Sequence, residues 1–377
     1  MKLGVPRESA AGERRVALVP ETATKLIAAG LEVALESGAG AAAGYRDEAY
    51  EEAGVQLVDD AGALLSGADV VFKVQPPTTG EVTLLKREAI LVSFLQPATQ
   101  ADIVRALAEQ RVTAFSLELL PRISRAQSMD ALSSQASLAG YKAVLMAANR
   151  LGKYFPMLMS AAGTIAPARV LVLGAGVAGL QAIATARRLG AVIEAYDVRP
   201  AVKEEVQSLG ARFIELELES QEGEGGYARE QTEDFLRKQR ELLGERVGAA
   251  DVVVTTAAIP GRRAPLLVTA DMVRGMRPGS VIVDLAAETG GNCELTELDK
   301  VAEVDGVFID GTGNVPSTVP LHASMLYARN VTNLFLYLYR EGKVELDFED
   351  EITRGSCVTN AGEIVHSRAR ELVESAS

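Results

Sequence analysis

The segment VLVLGAGVAGLQAIATARRLGAVIEAYD, residues 170–197, limits what this chain can fold into more than any other. An apolar run that reads as a strand meets Gly174, Gly176 and Gly179 in the arrangement GxGxxG, and the amphipathic pattern of a helix begins directly behind them. Gly174 permits the tight turn, Gly176 lets the backbone approach a pyrophosphate, and Gly179 lets helix and strand pack closely. The helix N-terminus adds amides without helical partners and a positive dipole end, both of which favour that anion. Asp197 closes the next strand, 197 − 179 = 18 residues past the last glycine, near the ~20 at which an acid meets the adenosine ribose hydroxyls. A carboxylate there favours NAD, while Arg199 two residues on keeps NADP open. Glycines that only pack a helix on a sheet are the alternative reading.

The same alternation of short apolar runs and helical patterns extends along the chain and predicts an α/β fold with parallel strands joined by crossover helices. LEVALES, DVVFKV, AILVSF and VTAFS form one doubly wound sheet. RVLVLG, VIEAYD, DVVVTT, SVIVDL and GVFID form a second. At 377 residues the chain exceeds what one hydrophobic core accommodates. The expected division is residues 1–132 with 319–377, and 133–318, joined by long helices. The first of these helices spans Asp130 to Leu151, with apolar residues at Leu132, Ala136, Ala139, Ala143 and Met146; Leu138, Tyr141 and Leu145 on other faces predict burial nearly all round. The second, LHASMLYARNVTNLFLYLYREG, returns the chain to the first domain, where the hairpin-like tail KVELDFEDEITRGSCVTNAGEIV finishes. The acidic, glycine-rich stretch 217–235 reads as a mobile loop. SGAGAAAGYRDEAY, residues 37–50, has the wrong glycine spacing for a nucleotide turn and reads as a structural one.

Charge and composition exclude several classes. A formal net charge of −13 repels nucleic acid and anionic lipid alike. The N-terminus lacks the apolar core of a signal peptide, and Arg169, Gln181 and the glycines interrupt the one region resembling a membrane span. A cytoplasmic protein without membrane insertion is expected. Cys293 and Cys357 are too few for a disulfide framework and lack metal-ligand spacing, so they read as buried thiols, and no metal is expected.

Acid–base groups are scarce. His322 and His366 lie far along the chain from the glycine motif, and no nucleophile or metal-protease motif is present. Hydride transfer to a carbonyl or imine usually needs a protein acid; exchange between two nicotinamides needs alignment and dryness instead.

PRISRAQSMDALSSQ, residues 121–135, gathers Arg122, Gln127, Asp130 and Ser133 at a helix start, groups able to fix a planar carboxamide through directional hydrogen bonds. Capping of that helix by Ser128 or Asp130 is compatible with such a role. With RISRAQSMDALSSQASLAGYKAV and the glycine motif in view, the chain resembles, end to end, the soluble NAD(H)-binding component, domain I, of proton-translocating nicotinamide nucleotide transhydrogenase.

The resemblance implies two Rossmann-like domains with the nucleotide in the cleft between them. It makes Arg122, Gln127, Asp130 and Ser133 the catalytic candidates that hold the carboxamide and ribose and orient the ring, with Ser128 and Met129 beside them. It adds Ala175 and Val177 to Gly174, Gly176 and Gly179, and Val198 to Asp197 and Arg199. GGYAREQ resembles that family's mobile loop, giving Gly226 and Tyr227, with Gln239 further on. TTAAIPG resembles its turn after the fourth strand, giving Ala258; packing roles remain the alternative for Gln239 and Ala258. The implied reaction is NADH plus NADP+ giving NAD+ plus NADPH, with NADP(H) on a partner component and proton translocation in a membrane component. The implied assembly is a homodimer held by those partners at the inner face of the membrane.

Alanine dehydrogenase shares this fold, and Arg15 in GVPRESAAGERRVALVP and Lys73 in FKVQPP are similar to its substrate site. Gln96 stands where that enzyme has its histidine, and Glu288 where it has an aspartate before paired glycines. Arg15 and Lys73 therefore read as ion-pair or structural residues. An alanine dehydrogenase-like enzyme and a non-catalytic NAD-sensing module are the alternatives.

Overall fold

Runs such as VVF, ILVS, RVLVL, VVVT and VIVD contain little that needs water, so their strands can be covered by helices on both faces, as parallel sheets require. In the computed structural model, which describes residues 1–215, 233–258 and 262–375, they form the centres of two sheets. The chain divides into two units, residues 1–135 with 317–377 and residues 136–316. Each is Rossmann-like.

In the first unit the eight-stranded sheet runs in the order Glu363–Ile364, Cys357–Asn360, Thr113–Ser116, Ile90–Ser93, Val70–Phe72, Lys2–Val5, Glu32–Glu36, Gln56–Val58. Period-two alternation sorts its side chains: Val92 and Phe115 enter one core with Phe72, Tyr327 and Phe335, while Leu91 and Ala114 enter another with Leu107 and Val358. The helix Pro320–Leu338 covers the first face. Its Phe335 ring meets Phe72 edge-on at 5.5 Å, and its Tyr327 hydroxyl donates to the Lys73 carbonyl at 2.6 Å.

In the second unit the seven-stranded sheet runs Arg212–Phe213, Val192–Tyr196, Arg169–Leu173, Val252–Thr255, Val281–Asp284, Val307–Asp310, Val301–Val304. The order reverses beside Arg169–Leu173, whose two neighbours are Val192–Tyr196 and Val252–Thr255. Such a reversal opens a crevice at the carboxyl ends of the strands, where ligands of this fold bind.

The sheets are parallel through their centres, as expected, with antiparallel pairings at their edges. Val301–Val304 pairs antiparallel with Val307–Asp310, and Cys357–Asn360 pairs antiparallel with both Thr113–Ser116 and Glu363–Ile364. For the two hairpins the cause is local: two-residue turns with both φ values positive, Asp305 (51°) with Gly306 (79°) and Ala361 (52°) with Gly362 (98°), match strand twist and close them. The tail is not one hairpin, since the helix Glu351–Ser356, capped by the Asp350 carboxylate, interrupts it.

The helix Ala131–Arg150 is less buried than its pattern predicts, for Leu132 and Tyr141 are exposed. Gly140 marks one inward side: a Cβ there would lie 1.9 Å from the Ala178 carbonyl oxygen, so the helix packs backbone to backbone at that point, while Ala143, Val144 and Ala147 enter the core. Most of the predicted mobile loop falls outside the described residues; the helix Glu233–Ala249 takes over before residue 235. In SGAGAAAGYRDEAY, the turn ends on Gly44 at φ +87° and the helix Asp47–Glu52 follows. Among the described residues no helix is long and apolar enough to cross a membrane, and no group of side chains is arranged to hold a metal.

Candidate nucleotide site

The glycine turn sits at the sheet reversal of the second unit. Gly174 adopts φ +100°, a conformation that costs an ordinary residue dearly, and a Cβ on it would lie 2.6 Å from Thr256 Oγ1. Thr256 Oγ1 donates to the Gly174 carbonyl at 3.0 Å, tying this turn to the one after Val252–Thr255. Gly179 stands against the turn itself: its Cβ would fall 1.9 Å from the Gly174 carbonyl oxygen. Gly176 is different. At φ −77° it caps the helix Val177–Arg188 without a side chain, and a Cβ on it would meet nothing within 4 Å. Packing explains the first and third glycines; only the second faces open space at a helix start, where amides lack helical acceptors. That arrangement fits a pyrophosphate.

Asp197 is brought to the same place. Its Oδ2 accepts from the Ala175 amide at 2.8 Å, and its Oδ1 from the Arg199 amide at 2.9 Å. The Arg199 guanidinium adds Nε to Oδ1 and Nη2 to Oδ2, each at 2.9 Å. Val177 is exposed beside the turn and Val198 is half-buried. Ala258 is exposed on the neighbouring turn, whose last residues lie outside the described ones, as do Gly226 and Tyr227. Gln239 is placed elsewhere in character: it is 3% exposed, and its Nε2 donates to the Tyr196 hydroxyl at 2.9 Å. Burial pushes that phenol up to about 12, against the opposing effect of the Gln239 hydrogen bond.

Two residues behind this site escaped the sequence reading. Asn292, fully buried, accepts from the Ala257 amide at 3.0 Å and donates to the carbonyls of Ala257 and Pro265, each at 2.8 Å. Asp284, also fully buried, accepts from the amides of Ala286, Asn292 and Cys293 and the hydroxyls of Thr255 and Thr296. Together they fix the turn that carries Ala258. The signal was present in DLAAETGGNC, where Gly290 (φ +97°) and Gly291 (φ +77°) fold the chain back so that Asn292 points inward.

In the first unit, Ser124–Met129 forms a 3₁₀ turn ahead of the helix Ala131–Arg150. Asp130 caps that helix: Oδ1 accepts from the Ser133 amide at 2.9 Å and Oδ2 from the Ser133 hydroxyl at 2.5 Å. The Ser128 carbonyl accepts from Asn330 Nδ2 at 2.9 Å and Asn333 Nδ2 at 3.0 Å; the i, i+3 spacing in ARNVTN places the two asparagines on one helix face but does not name their acceptor. Arg122, Gln127 and the Ser128 side chain are exposed. The Met129 side chain is 5% exposed, within the hydrophobic core, which leaves its backbone as the part available to a ligand.

Arg15 and Lys73 are buried in ion pairs. Arg15 meets Glu13 at 2.6 Å and donates to Gln135 Oε1 at 2.9 Å; Lys73 meets Glu81 at 3.0 Å and Glu8 at 3.5 Å. Burial alone would raise the Glu13 carboxyl, but the hydrogen bonds and charge of Arg15 hold it at about 2. Both cysteines are buried, and burial pushes the thiols up to about 11 at Cys293 and about 12 at Cys357. His322 is exposed, and His366 is half-buried with Nδ1 accepting from the Ala369 amide at 3.2 Å.

Compared with known families, residues 4–139 match the alanine dehydrogenase/PNT N-terminal domain and residues 143–367 its C-terminal domain. The chain belongs to the alanine dehydrogenase/PNT family. It is 49% identical over 376 residues to the first part of the NAD(P) transhydrogenase subunit alpha of Rhodospirillum rubrum, covering 97% of this chain and 98% of that one. The crystal structure of transhydrogenase from Sinorhizobium meliloti superposes with a TM-score of 0.85 at 42% identity, over 98% of this chain and all (100%) of that one. An L-alanine dehydrogenase structure superposes with the same TM-score, 0.85, at 27% identity, over 100% of both chains. The two branches thus share one architecture, and side chains must separate them. Gln96, with its Nε2 3.3 Å from Gln75 Oε1, adopts φ +48° three residues past the strand Ile90–Ser93. Its amide and that of Leu95 donate to Glu118. Glu288 is exposed.

Proposed function

We propose that the chain is the NAD(H)-binding component of a proton-translocating transhydrogenase. It presents NADH for direct hydride transfer to NADP+ on a partner component, while a membrane partner couples the exchange to proton movement. The observation that carries the nucleotide-binding part of this reading is the open space at Gly176, at a helix start and beside the Asp197 carboxylate. When bound, NADH supplies the hydride from C4 of its dihydronicotinamide ring. The amides that follow Gly176 hold the pyrophosphate, and Asp197, with Val198 and Arg199 at its side, takes the adenosine ribose. Arg122, Gln127, Asp130 and Ser133 bind the nicotinamide end and set the ring's orientation, with Asp130 also fixing the helix start on which Ser133 stands. The neutral Gln96, in place of an ionisable donor, and the 49% identity to a transhydrogenase subunit both support this branch over alanine dehydrogenase. We further read the protein as a homodimer held by its partners at the inner face of the membrane.

The test mixes the chain with the NADP-binding component of a transhydrogenase and follows hydride exchange between NADH and an oxidised NADP analogue. Exchange is expected. Tight NADH binding without exchange would favour an NAD-sensing module, and robust NADH oxidation with pyruvate and ammonia would replace the proposal with an alanine dehydrogenase.

A further inference from the structure

The Asp197 carboxylate is already full. Its two oxygens accept four N–H groups: the amides of Ala175 and Arg199, and Nε and Nη2 of the Arg199 guanidinium. An ionised carboxylate offers about four acceptor sites, so two ribose hydroxyls find none vacant. The two amide bonds hold the glycine turn and the strand end in register, and breaking them would unmake the turn. The two guanidinium bonds come from a side chain 21% exposed, against 7% for Asp197. They are the ones that can leave.

We propose that Arg199 is a specificity-determining residue: its guanidinium occupies the ribose sites of Asp197 until NADH displaces it, and so narrows the preference for NADH over NADPH. The inference rests on the nucleotide-binding reading above. For NADH, displacement exchanges an ion pair for contacts with neutral hydroxyls, a net handicap. For NADPH the displaced guanidinium, tethered two residues from Asp197, meets the 2′-phosphate with the fork geometry that suits it and offsets part of the carboxylate's repulsion. One residue therefore weakens one nucleotide and favours the other.

The experiment measures NADH and NADPH affinity by calorimetry for the full chain, Arg199→Ala and Arg199→Gln, with circular dichroism to establish folding. A partly exposed ion pair is worth up to ~1 kcal/mol, so NADH should bind roughly fivefold more tightly to both variants. NADPH should bind roughly fivefold more weakly, by the same magnitude. The glutamine variant retains hydrogen-bonding capacity without charge and serves if the alanine variant does not fold. Weaker NADH binding in both variants would make Arg199 a direct nucleotide ligand and overturn the proposal, as would an unchanged ratio of the two affinities. A parent chain that bound neither nucleotide would overturn the nucleotide-binding reading itself.

Discussion

Alanine at Gly179 and alanine at Gly176 change the same motif by the same methyl group, yet the structure assigns them opposite consequences. At Gly179 the new Cβ would sit 1.9 Å from the Gly174 carbonyl oxygen and 2.9 Å from its carbon. Both are backbone atoms, so the turn or the helix must move. Overpacking costs ~1–3 kcal/mol, and a clash with backbone belongs at the top of that range; better helix propensity returns ~1 kcal/mol. The net loss is about 2 kcal/mol. At Gly176 the Cβ would meet nothing within 4 Å and φ is −77°. Alanine is a poorer N-cap than glycine but restricts the unfolded chain, and the two effects cancel to within ~0.5 kcal/mol. The methyl does fill the space through which a pyrophosphate would approach, so NADH affinity should fall at least about tenfold, or ~1.4 kcal/mol. Urea denaturation followed by circular dichroism, with NADH titration of each variant, separates the two effects. Equal destabilisation by both substitutions, or undiminished NADH binding by Gly176→Ala, would refute the division of labour.

Other expectations follow from the same geometry. Asp130→Ala removes the acceptor of the Ser133 amide and hydroxyl and should cost ~1 kcal/mol in urea denaturation; no change would mean that the cap is not stabilising. Burial raises the Glu118 carboxyl above its ordinary 4.5. Its stabilising contribution is thus present below about pH 4.5 and lost as pH rises through the folded value. Glu118→Gln should therefore gain stability over the parent between pH 4 and pH 8, whereas a constant difference across that window would contradict the assignment. Gln127→Asn should slow hydride exchange far more than it weakens NADH binding, because one methylene disturbs alignment and leaves the pyrophosphate grip intact; parallel losses in rate and affinity would count against a role in orientation.

Long apolar runs and glycine spacing made the two α/β halves and the glycine turn between strand and helix legible from residue types alone. GxGxxG reads well because each glycine answers a local steric demand, and Asp197 follows from strand length. The antiparallel edges were readable in principle from DG in EVDGVF and AG in TNAGE, but a two-residue signal is easily overshadowed by the apolar run beside it. Burial of the helix Ala131–Arg150 was misjudged because periodicity counts apolar residues and cannot know that Gly140 brings in a neighbouring backbone.

The residues' own chemistry determined the class of fold, the place of the glycine turn and the carboxylate beside it, since steric freedom, hydrophobic period and charge are properties of short stretches. Only the folded chain decided how those groups are partnered. That Asp197 is saturated by Arg199, that Asn292 clamps the Ala257 turn, and that Glu13 neutralises Arg15 depend on directions and distances set by loops and packing. A hydrogen bond exists or fails within a few tenths of an ångström, and no pattern of residue types specifies position that finely.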